Sequence, residues 1–425
     1  MVSFAEALRF WLKLGFISFG VPAGQIAIMH RVLVDERKWI DEQRFLHALN
    51  FCVLLPGPEA TKLATYIGWL LHGTRGGLAA GILFVLPGAL VMLALSLLYA
   101  LGRGVPAIEG ALFGIKAAVL VIVVEALLRI GRRALKTRLL IGVALAAFAG
   151  IFFLNVPFPF IVVAAAVLGY FTTPSIGTRK QQAPAAGWQH VARALAIGLA
   201  LWAAPIVAFF VTLGSRHVMA DIGLFFAKLA VVSFGGAYAL LAYMAQQAVE
   251  TYHWMSAPEM VDGLGLAETT PGPLILVTQF VGFLAAYRDA APFSPVAAGV
   301  IGAALTTWVT FVPPITLIFA GAPFVEQLRS NERLSGALGA ITAAVVGVIL
   351  NLTVWFALHV LFGNVTEVQA GPLRGYAFDP QALDLKIAAL AALAAVLAFV
   401  LHRGLVELIL VMAALGVALR LALPV

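Results

Sequence analysis

Two Pro-Gly-Pro triplets, Pro56-Gly57-Pro58 and Pro271-Gly272-Pro273, stand 215 positions apart, each inside an apolar stretch. Helix does not run through such a triplet. Its second proline lacks an N–H and clashes with the preceding turn, but it suits the first position of a new helix. A helix restarting there presents unpaired backbone N–H groups and the positive end of its dipole, which is the chemistry of an anion site. Lys62, one turn after Pro58, adds a cation, with Thr61 beside it. Glu59 lies at i−3 from Lys62, so a purely structural Glu–Lys pair is the competing reading. Thr269 and Thr270 precede the second triplet and Gln279 follows it. Glu268, ionised, would repel an anion; buried and protonated, it is the candidate for proton coupling.

A second pair of breaks lies upstream, at Ser18-Phe19-Gly20-Val21-Pro22 and Ser233-Phe234-Gly235-Gly236. Glycine there permits positive φ and a further backbone anion nest, or else close helix approach for packing alone. The candidate substrate-binding residues are therefore Ser18, Gly20, Gly57, Glu59, Thr61, Lys62, Ser233, Gly235, Gly236, Thr269, Thr270, Gly272 and Gln279.

The elements that position these residues are membrane helices. Of 425 residues, 62% are hydrophobic and 11% charged, where a soluble chain averages about 25% charged residues. The stretches 77–101, 107–130, 295–320 and 334–362 each reach the roughly 20 residues that cross a bilayer as helix. The triplets cut the stretches 45–71 and 259–286 into halves too short to span alone, predicting re-entrant hairpins or broken helices. Irregular backbone at that depth survives only where protein or a water-filled cavity covers it. Counting the breaks either way gives about 10 to 14 membrane segments.

The chain also repeats itself. Residues 10–58 align with 225–273 without a gap, with 14 identities in 49 pairs, and after 11 extra residues the register resumes at an offset of 226. Two halves follow, 1–175 and 215–425, joined by a linker and connecting helix over 176–214. Residues 129–138 hold five Lys or Arg and their counterparts 355–364 none; residues 31–38 hold three and 246–253 none. Equivalent loops are thus expected on opposite sides of the membrane, giving an all-α polytopic membrane protein of two inverted-topology repeats, each with broken or re-entrant helices. Arg216, Arg288 and Arg374 fall on the other side of that assignment, while Arg179, Lys180, Arg329 and Arg333 agree with it.

Several classes are disfavoured. The net charge of +7 sits in short loops beside apolar spans rather than on a nucleic-acid-binding face. A single cysteine, Cys52, forms no intramolecular disulfide or cysteine cluster, and the eight histidines lack metal-ligand spacing, so no cofactor is expected. A membrane-embedded enzyme using Glu59 or Glu268 as acid or base would be unaccompanied by a metal motif, a nucleophile elbow or a paired-aspartate site.

The sequence resembles the chromate ion transporter family, whose long members have two homologous halves, each with a Phe-Gly-rich and a Pro-Gly-Pro motif. The likeness covers nearly the whole chain. It is carried by Leu55-Pro56-Gly57-Pro58-Glu59-Ala60 with Leu63-Ala64-Thr65-Tyr66-Ile67-Gly68-Trp69, by Thr269-Thr270-Pro271-Gly272-Pro273 with Gln279-Phe280, and by Lys38-Trp39-Ile40-Asp41-Glu42. Val21 replaces a second glycine of the first motif, and Thr61-Lys62 replace glutamines, so Lys62 is an added cation. The resemblance implies export of chromate, or of a related oxyanion such as sulfate, by a multi-pass protein of a bacterial inner membrane that confers chromate resistance. Its partners would be the oxyanion and the lipid bilayer. Uptake and a homo-oligomer are equally compatible with the residues.

Overall fold

The computed structural model describes residues 2–20, 22–102, 104–173, 188–234, 237–322 and 332–422. Arg179, Lys180, Gly235, Gly236, Val21 and Arg329 lie outside them.

Helix α1 (Phe4–Ile17) starts on the Ser3 side-chain cap and ends at Ser18, and α2 (Pro22–His30) continues into a π turn, Arg31–Glu36. Helix α3 (Glu42–Leu54) starts at Asp41, whose carboxylate accepts the Arg44 N–H. It stops at Leu55, extended as the residue before a proline is expected to be. Helix α4 (Glu59–Leu101) restarts after Pro58 and breaks again at His72 and Gly73, the latter at φ +61 and ψ −153, a conformation open to glycine. Then follow α5 (Pro106–Ala134), α6 (Arg138–Leu154), α7 (Phe158–Thr172) and α8 (Trp188–Leu213). The remainder is α9 (Val218–Val231), α10 (Ala237–Gln246) with its π turn Gln247–Thr251, α11 (Ala257–Thr269), α12 (Val277–Arg288), α13 (Pro295–Gly321), α14 (Glu332–Leu361), a β-hairpin, α15 (Leu385–Ala395) and α16 (Leu405–Ala422). Among the described residues six helices are long and apolar enough to cross a membrane. Exposed Ile197, Leu199, Val207, Phe210 and Val211 on α8 have the chemistry of a lipid-facing side. The protein is an all-α polytopic membrane protein with broken helices.

Element bounds recur along the chain. Both ends of α3 and α11 differ by 215 positions, and α5 and α14 both start 226 apart. Helices α6 and α7 start 247 positions before α15 and α16. Rare backbone states recur too: Lys38 and His253 both sit at φ 51, and so does Asn155, whose counterpart 247 positions on, His402, sits at φ 49. The N–H of Trp39 bonds the Leu33 carbonyl at 2.8 Å, as Trp254 bonds Ala248 at 2.8 Å. Each change of offset has a visible cause. The first turn is made at His72–Gly73 but over a loop between Arg288 and Pro295, and the second change falls at the β-hairpin.

That hairpin, strands β1 (Val365–Ala370) and β2 (Leu373–Phe378), was not legible in the apolar pattern. It carries Arg374, buried and bonded to Glu250 at 3.1 Å and to the last carbonyls of α6, Ile151 at 3.0 Å and Phe152 at 3.3 Å. Arg374 thus caps a helix C-terminus and is matched by a carboxylate, so it is a weak reporter of loop orientation.

The chain divides into two compact units, each drawing on both sequence halves: Met1–Ala94, Leu168–Ala237 and Thr270–Leu338 form the first, and Leu95–Val167, Tyr238–Thr269 and Gly339–Val425 the second. In the second unit Gly110 and Gly114 of α5 lie against the backbone of α16 at Gly416 and Met412. Their four-residue spacing is the small-residue pattern that lets membrane helices touch. In the first unit Gly336 of α14 lies against Gly169 of α7, at the equivalent positions. A Cβ at Gly114 would overlap the Met412 carbonyl. Gly114→Leu is expected to separate α5 from α16 and cost about 1 to 3 kcal/mol, read as a lower unfolding temperature of the detergent-purified protein; unchanged unfolding would contradict this packing.

Candidate functional site

The first unit brings four breaks together in pairs. The Gly57 N–H donates to the Ser233 carbonyl at 3.0 Å, and the Gly272 N–H donates to the Ser18 carbonyl at 2.5 Å. These are the same contact made twice, since Gly272 and Ser233 each stand 215 positions after Gly57 and Ser18. Phe19 and Pro271 form an isolated antiparallel bridge at the same place. Positive φ makes both approaches possible: Gly57 is at φ +105, packed on Pro314, and Gly272 at φ +88, beside Gly88. The glycine N–H groups therefore build the crossings rather than face an open cavity.

Gln25 ties the Ser18–Gly272 crossing. It is 1% exposed, and its Nε2 donates to the Gly20 carbonyl at 3.1 Å and the Gly272 carbonyl at 2.7 Å. The apolar pattern of the sequence does not single it out. The available signal was a glutamine inside the apolar run of α2, where its counterpart in α10 is Leu240.

Unmatched polar chemistry collects beside these crossings. The Ser18 Oγ, Thr61 Oγ1 and Gln25 Oε1 atoms are buried without a hydrogen-bond partner among the described residues. Lys62 is 1% exposed and its Nζ donates to the Leu55 carbonyl, back across the first Pro-Gly-Pro break. No ion pair joins it to Glu59 among the described residues. Glu59 stands half-buried in the first turn of α4. A buried ammonium in a membrane helix, with one carbonyl partner among the described residues, is costly, about 2.5 to 3.5 kcal/mol on the milder scale, and gains most from an anion.

The other candidates are placed differently. Ser233 turns its Oγ to the Ala230 carbonyl at 2.9 Å. Gln279 spends its amide on helix packing, donating to Ala89 at 2.9 Å and accepting from Thr307 at 3.2 Å. Thr270 is buried in the first unit. Thr269 and Glu268 belong to the second unit, where Thr269 bonds the Leu266 carbonyl at 2.7 Å. Glu268 is 3% exposed; its Oε1 accepts the Tyr238 hydroxyl at 2.9 Å and its Oε2 has no hydrogen-bond partner among the described residues. No group of three or more His, Cys, Asp or Glu side chains able to hold a metal is found among the described residues.

Residues 5–170 and 220–419 match the chromate transporter family. The chain belongs to that family. It is 35% identical to a chromate transport protein of Pseudomonas aeruginosa over 359 residues, covering 82% of this chain and 80% of that one. A chromate transport protein of Cupriavidus metallidurans is 26% identical, with 83% and 82% covered, and a probable chromate transport protein of Synechococcus elongatus is 26% identical, with 83% and 84% covered. No solved structure matches the chain. As a family member it is a transporter rather than an enzyme, a multi-pass protein of the bacterial inner membrane.

Proposed function

We propose that the chain is a secondary transporter that exports chromate from the cytoplasm and so confers chromate resistance. It is built from two inverted-topology repeats, residues 1–175 and 215–425, with a linker and connecting helix over 176–214. One observation carries the reading: the Ser-Phe-Gly break of each half bonds the Pro-Gly-Pro break of the other, Gly57 to Ser233 and Gly272 to Ser18. A contact exchanged reciprocally is what a two-fold axis requires, and broken helices meeting on such an axis are the usual site of secondary transporters. Lys62, with the hydroxyls of Thr61 and Ser18, supplies the cation and donors for a tetrahedral oxyanion.

An inside-negative potential favours expelling an anion by about 2.3 kcal/mol per charge per 100 mV, enough to drive efflux of a dianion without a further energy source. Glu268, deeply buried with one carboxylate oxygen unengaged, is the group suited to carry a proton in exchange. Support for the inversion comes from the basic loop at residues 129–138, whose counterpart lacks Lys and Arg.

Two measurements test this. Lys136→Cys and Asn364→Cys, both at exposed positions, are expected to react with an impermeant thiol reagent from the cytoplasmic and periplasmic sides respectively; labelling from one side would reject the inversion. Expression in a chromate-sensitive bacterium is expected to lower cell-associated chromate, and a rise would assign uptake instead.

A further inference from the structure

The two crossings of the first unit are equivalent in backbone but not in side chains. Gly57 donates to Ser233 and Gly272 to Ser18, each glycine at positive φ. The fastening around them differs. At the Ser18–Gly272 crossing, Gln25 from the first turn of α2 donates through Nε2 to the Gly20 carbonyl at 3.1 Å and the Gly272 carbonyl at 2.7 Å. One buried amide thus joins the break of its own half to the break of the other. The residue 215 positions on is Leu240, whose side chain has no N–H to give. Near the other crossing the side chain that reaches a break is Lys62, whose Nζ donates to the Leu55 carbonyl across Pro56-Gly57-Pro58, within one half. Its counterpart is Val277, which can make no such bond. A neutral tie between halves therefore serves one crossing, and a charged tie within one half serves the other.

These two ties answer an anion in opposite ways. Both Nε2 protons of Gln25 are already engaged, and its Oε1, buried without a hydrogen-bond partner among the described residues, offers only lone pairs. Opening this crossing would leave the Gly20 and Gly272 carbonyls and the amide unpaired in the interior, and a buried polar group left unpaired loses its full solvation. An anion gives a carbonyl nothing in return. Lys62 stands in the reverse position, because an ammonium bonded to a neutral carbonyl gains by exchanging it for an oxyanion. That exchange removes the bond that spans the first Pro-Gly-Pro break. A ligand shifts a conformational equilibrium only by binding one state better than the other, and a state in which Lys62 has left Leu55 is the better anion binder.

We propose that Gln25 is a positioning residue that holds the Ser18–Gly272 crossing closed as the fixed pivot of the transport cycle, while the Gly57–Ser233 crossing opens when an oxyanion draws Lys62 from the Leu55 carbonyl. Gln25 itself does not bind the ligand. The choice of an oxyanion as the releasing ligand rests on the transport reading above.

Hydrogen–deuterium exchange of the purified full-length protein reads each crossing directly, because each glycine is flanked by prolines without an N–H and is the one exchanging amide of its triplet. Saturating chromate is expected to speed exchange at Gly57 several-fold and to leave Gly272 unchanged. In Gln25→Leu without ligand, exchange at Gly272 is expected to rise several-fold, with Gly57 as in wild type. In vesicles, Gln25→Leu is expected to lower kcat for chromate, per folded protein, by about ten-fold with KM within about two-fold of wild type, the opposite split from Lys62→Gln. A residue serving stability alone would lower the amount of folded protein and leave kcat per folded protein intact, and that result would overturn the assignment of Gln25. Chromate speeding exchange at Gly272 as much as at Gly57, or slowing it at both, would overturn the choice of moving crossing; this arm uses wild type and holds even if Gln25→Leu fails to fold. Absence of chromate transport and of any chromate effect at either glycine, with Gly272 exchange still raised in Gln25→Leu, would reject the transport reading and the release step but leave the Gln25 tie standing.

Discussion

Lys62→Gln is expected to raise the KM for chromate by about 30- to 1,000-fold while leaving the amount of folded protein unchanged. The range corresponds to about 2 to 4 kcal/mol, the scale on which a buried charged partner contributes to holding an opposite charge. Lys62 is nearly inaccessible, bonded to the Leu55 carbonyl, and joined to no carboxylate among the described ion pairs. Removing its charge relieves a desolvation cost, so stability is not expected to fall. An oxyanion loses its counter-charge. Chromate uptake by vesicles at varied concentration separates KM from turnover, and an unchanged KM would mean that Lys62 serves the fold alone.

Gly57→Ala is expected to be the more damaging of the two matched glycine substitutions. Both positions have positive φ, which costs an L-residue about 1 to 2 kcal/mol. Their surroundings differ. A Cβ on Gly57 would lie 2.6 Å from the Pro314 Cβ, an overlap worth a further 1 to 3 kcal/mol or so. A Cβ on Gly272 would meet nothing closer than 3.5 Å. Gly57→Ala should therefore lose about 2 to 5 kcal/mol and most of its transport, and Gly272→Ala about 1 to 2 kcal/mol. Thermal unfolding of the two purified variants checks this, and equal losses would show that the backbone conformation, not the proline contact, sets the cost.

Much of this was legible in the residues. Proline lacks an N–H wherever it stands, so the breaks at residues 55–58 and 270–273 could be placed without coordinates. The offset of 215 survived because no insertion falls between Phe10 and Pro58 or between Phe225 and Pro273. Beyond them the pattern weakened. The hairpin at residues 365–378 hid the equivalence of α6 and α7 with α15 and α16, which rests on helix bounds and on the left-handed residues Asn155 and His402. Which break meets which was not legible either. The Gly272–Ser18 contact joins residues more than 250 positions apart, and no local propensity encodes it. Gln25 was missed because an apolar-period reading treats one polar residue as tolerated, when its amide fastens two breaks of opposite halves. Lys62 and Gln279 look alike as site candidates in the sequence; burial with a single carbonyl partner among the described residues distinguishes the first, and two helix-packing bonds account for the second.

The most direct test of the central claim is chromate accumulation by everted membrane vesicles under an imposed inside-positive potential, with sulfate as competitor. Export from the cytoplasm becomes uptake in this geometry. Potential-dependent accumulation above that of vesicles lacking the protein is expected, reduced in Lys62→Gln at low chromate. Accumulation no greater than in empty vesicles, with the protein shown to be folded and inserted, would contradict it.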